Sequence, residues 1–225
     1  PIKRIRVIKP RIGGGFGGKQ EMLIEDVAAH LTIATGRPVQ YVYTREEEFT
    51  SSRSRHPMRI RLKTGVKNDG TMTANAMYAL SDTGANGAHA LTVTGNTTKS
   101  MALYVGSGPY RESPNIQFYA DIVYTNTPPS GAYRGYGVPQ GYWPVERHME
   151  KIAQALDLDP LEFRLKNALQ AGEIHPFSVA WSEGREPVPE MIQTNGLVEC
   201  VKKGKKAITV SLPSSMKGQK EMTCF

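Results

Sequence analysis

Cysteine and closely spaced histidines are scarce in this chain of 225 residues, which limits the metal chemistry that it can perform alone. Its two cysteines, Cys200 and Cys224, lie outside any C-x-x-C pair. Iron–sulfur clusters and structural zinc need several thiolates at short spacings, so neither is predicted within the chain. The five histidines are scattered, and none has a partner four residues away that would place two imidazoles on one helical face.

Long apolar runs are also lacking. No run of about 18 apolar residues occurs, so the sequence predicts no membrane span. The chain begins at Pro1 with the alternating segment IKRIRVIK and shows no apolar leader. From this pattern we expect a cytoplasmic location and a piece of a longer protein.

The positive charge is concentrated at one end. Of the net charge of +7, residues 201–225 carry +5, which leaves +2 for the first 200 residues. A short lysine-rich end without interleaved aromatic residues is more often a solvated segment than a nucleic-acid surface. The charge pattern therefore predicts no nucleic-acid partner.

The hydrophobic pattern predicts an α+β fold, a mixed sheet with helices packed on it. A Gly36 stop, an Asp69-Gly70 turn and an Asp159-Pro160 helix start punctuate the pattern. The Thr-rich stretch 81–100 is expected to be irregular and to contribute little core. Strands are expected at 2–9, 39–44, 58–67, 71–80 and 116–125, and helices at 23–35, at 141–156 and from 160 onward.

Residues 12–20, IGGGFGGKQ, form a glycine loop that fits two nucleotide motifs. The glycines satisfy G-x-G-x-x-G, the loop of NAD- or FAD-binding domains, and a strand–loop–helix–strand context is predicted around them. Against this alternative, the βαβ pattern does not repeat after residue 44. A triphosphate loop is disfavoured because Gln20 replaces the hydroxyl that binds magnesium. Five glycines around Phe16 let backbone amides approach an anion, and the following helix is expected to add its positive dipole end.

A second loop has the same character. Residues 130–141, SGAYRGYGVPQG, place glycines beside aromatic residues and one cation, Arg134. The planar guanidinium offers a fork of donors to a phosphate or oxo group, and the adjacent glycines let the backbone share that ligand. Two such loops in one chain predict a shared anionic ligand, and we expect the loops to converge.

Six blocks, which include both loops, carry a family resemblance. They are GGGFGGK (13–19), GRPVQYVYTREEEF (36–49), RHPM (55–58), DTGANGAH (82–89), AYRGYGVPQ (132–140) and LDPLEFRLKNAL (158–169). In this order they resemble the molybdenum-binding subunit of xanthine dehydrogenases, a family that includes aldehyde oxidases and bacterial hydroxylases. The resemblance implies that residues 1–207 are part of a molybdopterin-binding domain, incomplete relative to the whole subunit. Residues 208–225 then form an atypical basic tail.

The resemblance also implies a chemistry. An N-heterocycle or an aldehyde would be oxidised by attack of a molybdenum-bound hydroxide and hydride transfer. Electrons would leave through iron–sulfur clusters and FAD on partner subunits or domains, in a complex expected to be a homodimer. The implied cofactor-binding residues are Gly15, Phe16, Gly17, Ala132, Tyr133, Arg134 and Gly135, with Phe16 and Arg134 lying against the ligands of the metal. The implied substrate residues are Gln20, Met101 and Tyr136, the last as an aromatic wall.

The chain departs from the animal-type family pattern at two of these positions. Gln20 stands where a glutamate binds the purine, and Met101 stands where an arginine is expected. Both changes remove charge, so the resemblance leaves the choice between a purine, a less polar heterocycle and an aldehyde open. The family's general base, a glutamate in a Gly-Glu segment, is expected beyond this chain, so no catalytic residue is assigned here and the fragment alone is expected to be inactive.

Overall fold

The computed structural model describes residues 4–105, 115–178, 186 and 188–211. The chain divides into two compact units, each built from three segments. Unit 1 comprises Pro1–Ile60, Ala79–Thr97 and Ala120–Gln140, and unit 2 comprises Arg61–Tyr78, Thr98–Tyr119 and Gly141–Phe225. In the described part of the chain, no helix is both long enough and apolar enough to cross a bilayer.

Three strands form one sheet in the order β1 (Met58–Val66), β2 (Met72–Asp82) and β3 (Asn115–Val123). The predicted hairpin of β1 and β2 is confirmed, and Gly70 adopts the expected left-handed conformation, with φ of 82°. The β3 strand runs in the same direction as β2, because Val123 bonds Thr83 at one end and Asn115 bonds Thr73 at the other. The sheet is therefore mixed, as the sequence predicted.

The helix after the glycine loop, α1 (Glu25–Thr35), is confirmed and ends at Gly36, whose φ is 65°. A second helix, α2 (Arg45–Ser51), was not predicted. Its N-terminus is closed by a reciprocal capping box between Thr44 and Glu47. A Thr followed three residues later by Glu is the sequence signal that would have located this helix.

The strands predicted at 2–9 and 39–44 are wrong where the structure describes these residues. Residues 4–9 and 39–44 adopt no regular structure. Val7 is 86% exposed and Val42 is 69% exposed. A strand needs a neighbour to take up its backbone hydrogen bonds, and alternation in sequence cannot supply one.

The expectation of irregular structure with little core at 81–100 is also wrong. This stretch contains the end of β2, the helix α3 (Ala90–Gly95) and the start of a 3₁₀ helix (Asn96–Leu103). Val93, Thr97 and Ser100 are each 1% exposed or less. Small side chains form core here because they allow backbone segments to approach one another closely.

Unit 2 contains most of α4 (Val138–Ala155), together with α5 (Pro160–Asn167) and α6 (Leu197–Ser211). The helix predicted at 141–156 is confirmed by α4, along which every fourth residue from Gly141 to Ala153 is buried and Ile152 is half-buried. The N-cap at Asp159 is confirmed by bonds from two backbone amides, while the Glu162 carboxylate accepts from Lys205 on α6. The α6 helix continues past the predicted boundary at residue 207, and residues 212–225 lie outside the described part.

Asn167 connects the hairpin turn to α5 within unit 2. It is 0% exposed, and its side chain accepts from the Met72 amide and donates to the carbonyls of Gly70 and Phe163, each at 2.9 Å. Three backbone groups from two elements therefore depend on one buried amide.

We expect Asn167→Leu to lower the free energy of unfolding by about 2–4 kcal/mol, because it leaves buried backbone groups without partners. Urea unfolding of the purified protein measures the change. Asn115→Ala is the matched control, since it removes one exposed amide-to-carbonyl bond to Thr73 and should cost under about 0.5 kcal/mol. Equal losses in the two variants would show that Asn167 has no special structural role.

Candidate functional site

The glycine loop is a tight turn that presents one large side chain. Phe16 and Gly17 both have left-handed backbones, with φ of 50° and 105°, and the Gly18 amide donates to the Gly15 carbonyl at 2.9 Å. Gly14 lies beneath the Phe16 ring, because a Cβ there would be 2.7 Å from a ring carbon. The Phe16 side chain is 69% exposed. The turn therefore directs an aromatic face outward from a backbone with little side-chain bulk.

The two glycine loops meet within unit 1, as the sequence predicted. A Cβ on Gly17 would lie 2.1 Å from the Ala132 carbonyl oxygen and 2.7 Å from the Tyr133 nitrogen. The Arg134 guanidinium carbon lies 5.3 Å from the centroid of the Phe16 ring, in cation–π geometry. One backbone contact and one side-chain contact thus join the loops.

The second loop turns sharply through three consecutive left-handed residues. Gly135, Tyr136 and Gly137 have φ of 90°, 49° and 95°. A Cβ on Gly137 would lie 1.9 Å from the Val93 carbonyl oxygen, so only glycine can pass this point. The turn leaves Tyr133 and Arg134 exposed while Ala132 is buried.

Arg55 fixes the second loop from the side. Its guanidinium donates to the Arg134 carbonyl at 2.6 Å and to the Gln140 side chain at 3.0 Å. Its guanidinium carbon also lies 4.6 Å from the centroid of the Tyr133 ring. No role for Arg55 was predicted from the sequence, although the residue begins the RHPM block.

A chain of polar side chains runs behind Tyr136. The Glu21 carboxylate lies 2.7 Å from Arg53 Nε and 3.1 Å from His89 Nε2. His89 Nδ1 is 2.5 Å from the Tyr136 hydroxyl, which is also 2.8 Å from the Thr92 hydroxyl. Glu21 and His89 were missed as site residues, although His89 ends the DTGANGAH block and Glu21 follows Gln20.

The N-terminus of α1, whose dipole was expected to assist the glycine loop, already interacts with a carboxylate of the protein. Here α1 begins at Glu25, and the Glu25 carboxylate accepts from the backbone amides of Leu23 and Ile24. These hydrogen bonds lower the pKa of Glu25, and the bond from the Leu23 amide has the largest effect. The anion at this helix N-terminus is therefore the protein's own carboxylate.

Most of the site residues predicted from the sequence lie in unit 1. Met101 is the exception: it lies in unit 2 and is 0% exposed. A substrate contact for Met101 stays a prediction, and its burial argues against it. Within residues 4–105, 115–178, 186 and 188–211, no group of three or more His, Cys, Asp or Glu could hold a metal ion. The predicted residues in unit 1 are Gly15, Phe16, Gly17, Gln20, Ala132, Tyr133, Arg134, Gly135 and Tyr136.

Comparison with known proteins gives these loops a family. The model of the molybdopterin cofactor-binding domain matches residues 1–168. The chain belongs to this family. Its resemblance to molybdenum-binding subunits, recognised from six sequence blocks, is thereby confirmed.

Similar proteins are much longer than this molybdopterin cofactor-binding chain. The probable hypoxanthine oxidase XdhD of Escherichia coli K12 is 38% identical over 218 residues, which cover 96% of this chain and 22% of that protein. The nicotinate dehydrogenase large molybdopterin subunit of Eubacterium barkeri is 40% identical over 173 residues, covering 76% of this chain and 39% of that subunit. The solved structure of the aldehyde oxidoreductase from Desulfovibrio gigas matches with a TM-score of 0.73 and 30% identity, covering 95% of this chain and 21% of that one.

The nucleotide-binding alternative is not supported. The family match assigns the glycine loop to a molybdopterin-binding domain. In addition, neither the described residues before the loop nor residues 39–44 form a strand, so the βαβ context that the dinucleotide fingerprint requires is missing.

We expect Gly17→Ala to lower the free energy of unfolding by about 1–3 kcal/mol, because the new Cβ meets the Ala132 backbone in a left-handed conformation. Gly13→Ala is the matched control in the same loop, where an added Cβ has nothing within 4 Å. Urea unfolding compares the two variants. If they unfold at the same midpoint, the loops do not meet as described.

His56 lies in the same unit, and its burial predicts that stability depends on pH. It is 1% exposed, and among the described residues neither ring nitrogen has a hydrogen-bond partner of normal geometry. Burial lowers the pKa of His56 from 6.5, and the Asp82 carboxylate partly offsets that effect. Burial lowers the pKa of His148 and of His175 in the same direction.

Because the unfolded chain binds these protons more readily, we expect the free energy of unfolding to fall as the pH drops below about 6.5. His56→Leu should make that dependence shallower, by up to about 1.4 kcal/mol per pH unit. Denaturant unfolding from about pH 7.5 to about pH 5.5 measures the slope. His30→Leu, at an exposed position on α1, is the control, and an equal slope in both variants would contradict the role of His56.

Proposed function

We propose that this chain forms part of the catalytic subunit of a molybdenum hydroxylase, where its two glycine loops hold molybdopterin. The observation that carries the proposal is the direct contact between the loops, with Gly17 against the Ala132 backbone and Arg134 over Phe16. A ligand at Phe16 would therefore touch both loops at once.

The residues present suit a bulky anionic cofactor. Arg134 is exposed, and among the described residues no carboxylate pairs with its guanidinium. A Cβ on Gly13 would have open space around it, and one on Gly15 would be no closer than 3.6 Å to a neighbour, so the backbone here is accessible from outside. Backbone amides and a planar guanidinium are the donors that bind phosphate and oxo groups.

When bound, a molybdenum–pterin cofactor would supply the two-electron oxidation. The residues of this chain would bind the cofactor and orient it. The backbones of Gly15, Gly17 and Gly135, with Ala132 and Tyr133, would line the cofactor, and Arg134 would donate to it. The exposed ring of Phe16 would pack against the cofactor. The general base is not among these residues, and we expect it in a segment that follows in the longer relatives.

The substrate class that fits best is a planar N-heterocycle, with an aldehyde as the other candidate. The ring of Tyr136 offers a stacking surface worth about 0.5–1.5 kcal/mol beyond its buried area. Gln20, the last residue of the first glycine loop, is exposed and can donate and accept hydrogen bonds without carrying charge. The names of similar proteins, a hypoxanthine oxidase, a nicotinate dehydrogenase and an aldehyde oxidoreductase, cover both classes.

The partners of the chain and its location in the cell belong to the same proposal. Iron–sulfur and FAD groups on other subunits or domains would accept the electrons, in a homodimeric complex in the cytoplasm. Two findings support this part of the proposal. The chain matches a molybdopterin cofactor-binding family. It also covers only 22% of the probable hypoxanthine oxidase, so most of that relative consists of other segments.

We expect the protein, purified from its own cells with any subunits that accompany it, to contain about one molybdenum per protomer. Arg134→Ala should weaken cofactor retention about 10- to 100-fold, the effect of losing charge-assisted hydrogen bonds of about 1.5–3 kcal/mol. Elemental analysis after dialysis measures the metal. Arg37→Ala, at an exposed arginine beyond α1, is the control and should retain it.

The proposal fails if the wild-type complex oxidises hypoxanthine or benzaldehyde without molybdenum. It also fails if Arg134→Ala and Arg37→Ala lose the metal to the same extent.

A further inference from the structure

Tyr136 belongs to a relay of hydrogen-bonded side chains whose direction follows from the tautomer of His89. A carboxylate only accepts, so the His89 nitrogen that faces Glu21, Nε2, carries a proton. In this tautomer Nδ1 carries the lone pair, and the Tyr136 hydroxyl, 2.5 Å away, would donate to it. Arg53 holds the other oxygen of Glu21 at 2.7 Å. The relay runs from Tyr136 through His89 to Glu21.

Backbone strain supports a specific purpose for this contact. Among the described residues, the non-glycine residues with left-handed backbones are Phe16, His89, Tyr136 and Asp157. Three of the four belong to this site, and His89 and Tyr136 bond each other. Such conformations cost about 1–3 kcal/mol each and persist where the surroundings fix them, often at ligand sites. Glycine at position 89 or 136 would relieve the strain. The presence of His89 and Tyr136 there therefore points to a role for their side chains.

We propose that Glu21 and His89 are positioning residues that hold the Tyr136 ring in one orientation toward a planar heterocyclic substrate, an inference that rests on the proposed function. Tyr136 has a T-shaped contact with His89, with ring centroids 5.6 Å apart at 75°. The hydroxyl is fixed from two sides, by His89 and by Thr92. The Tyr136 ring is therefore already oriented before a substrate stacks on it, which avoids the entropic cost of ordering this side chain on binding.

The relay predicts that Glu21 acts only through the Tyr136 hydroxyl. Glu21→Gln keeps the size of the side chain but can present an amide donor to His89, which no longer specifies the histidine tautomer. Tyr136→Phe keeps the ring and removes the hydroxyl. The two changes should therefore have overlapping effects.

A double-mutant cycle on the purified holoenzyme, with hypoxanthine as the probe, tests this overlap. We expect each single variant to raise KM about 3- to 10-fold, the effect of one lost hydrogen bond, with kcat changed less than about twofold. The double variant should match Tyr136→Phe alone. Glu46→Gln, at an exposed glutamate on α2, should match the wild type.

Additive effects of Glu21→Gln and Tyr136→Phe would overturn the relay. So would a fall in kcat with unchanged KM in Glu21→Gln. If molybdenum-loaded wild-type protein oxidises benzaldehyde but not hypoxanthine, the proposal that the Tyr136 ring is oriented toward a heterocyclic substrate is wrong.

A second readout needs no bound cofactor. In ¹⁵N-histidine-labelled protein, the His89 signals, assigned by difference from His89→Asn, should show a protonated Nε2 and an unprotonated Nδ1. Glu21→Gln should shift the tautomer population, and Glu46→Gln should not. The opposite tautomer, or a doubly protonated ring at pH 7, overturns the relay. Absence of molybdenum overturns the proposed function but leaves this spectrum to decide the relay.

Discussion

The site depends on one steric constraint, the passage of Gly17 against the Ala132 backbone. A Cβ at Gly17 would lie 2.1 Å from the Ala132 carbonyl oxygen, a separation that no real side chain tolerates. With a φ of 105°, the same residue also needs a backbone conformation that glycine adopts without strain. Space and conformation therefore demand glycine independently. Because the loops touch here, Phe16 and Arg134 come close enough for their side chains to meet.

Glycines and aromatic residues have different roles in the two loops of the site. Glycines at 14, 17 and 137 allow contacts with Phe16, Ala132 and Val93 that a methyl group would block. Phe16 and Tyr136 take the left-handed positions in between, despite the strain that a side chain incurs there. Stability alone would favour glycine throughout. The two aromatic rings are therefore better explained by what they contact than by how they fold.

Features set by neighbouring residues were predictable from the sequence, and features set by distant ones were not. The Asp69-Gly70 turn, the Gly36 helix stop and the Asp159 N-cap each rest on a few adjacent residues, and each is confirmed. The false strands at 4–9 and 39–44 and the buried stretch at 81–100 depend on which segments lie alongside, and no local pattern encodes that.

The same distinction applies to the site. The two glycine loops were recognisable because each concentrates glycines and aromatic residues in about a dozen positions. The residues that hold them in place were not, because Arg55 acts on a carbonyl 79 residues away and His89 on a hydroxyl 47 residues away. Their only sequence signal was membership of the blocks RHPM and DTGANGAH, which marked them without giving a role.

Three arginines near the loops show how the site separates structural charge from charge available to a ligand. Arg53 pairs with the Glu21 carboxylate through Nε, and Arg55 donates to a carbonyl and to an amide side chain, so both arginines make contacts within the protein. The Arg134 guanidinium carbon instead lies 5.3 Å from the centroid of the Phe16 ring, and among the described residues no carboxylate pairs with this guanidinium. A lysine could keep the charge at this position but could not both stack on the ring and offer a planar fork, which makes arginine the residue suited to an anionic cofactor.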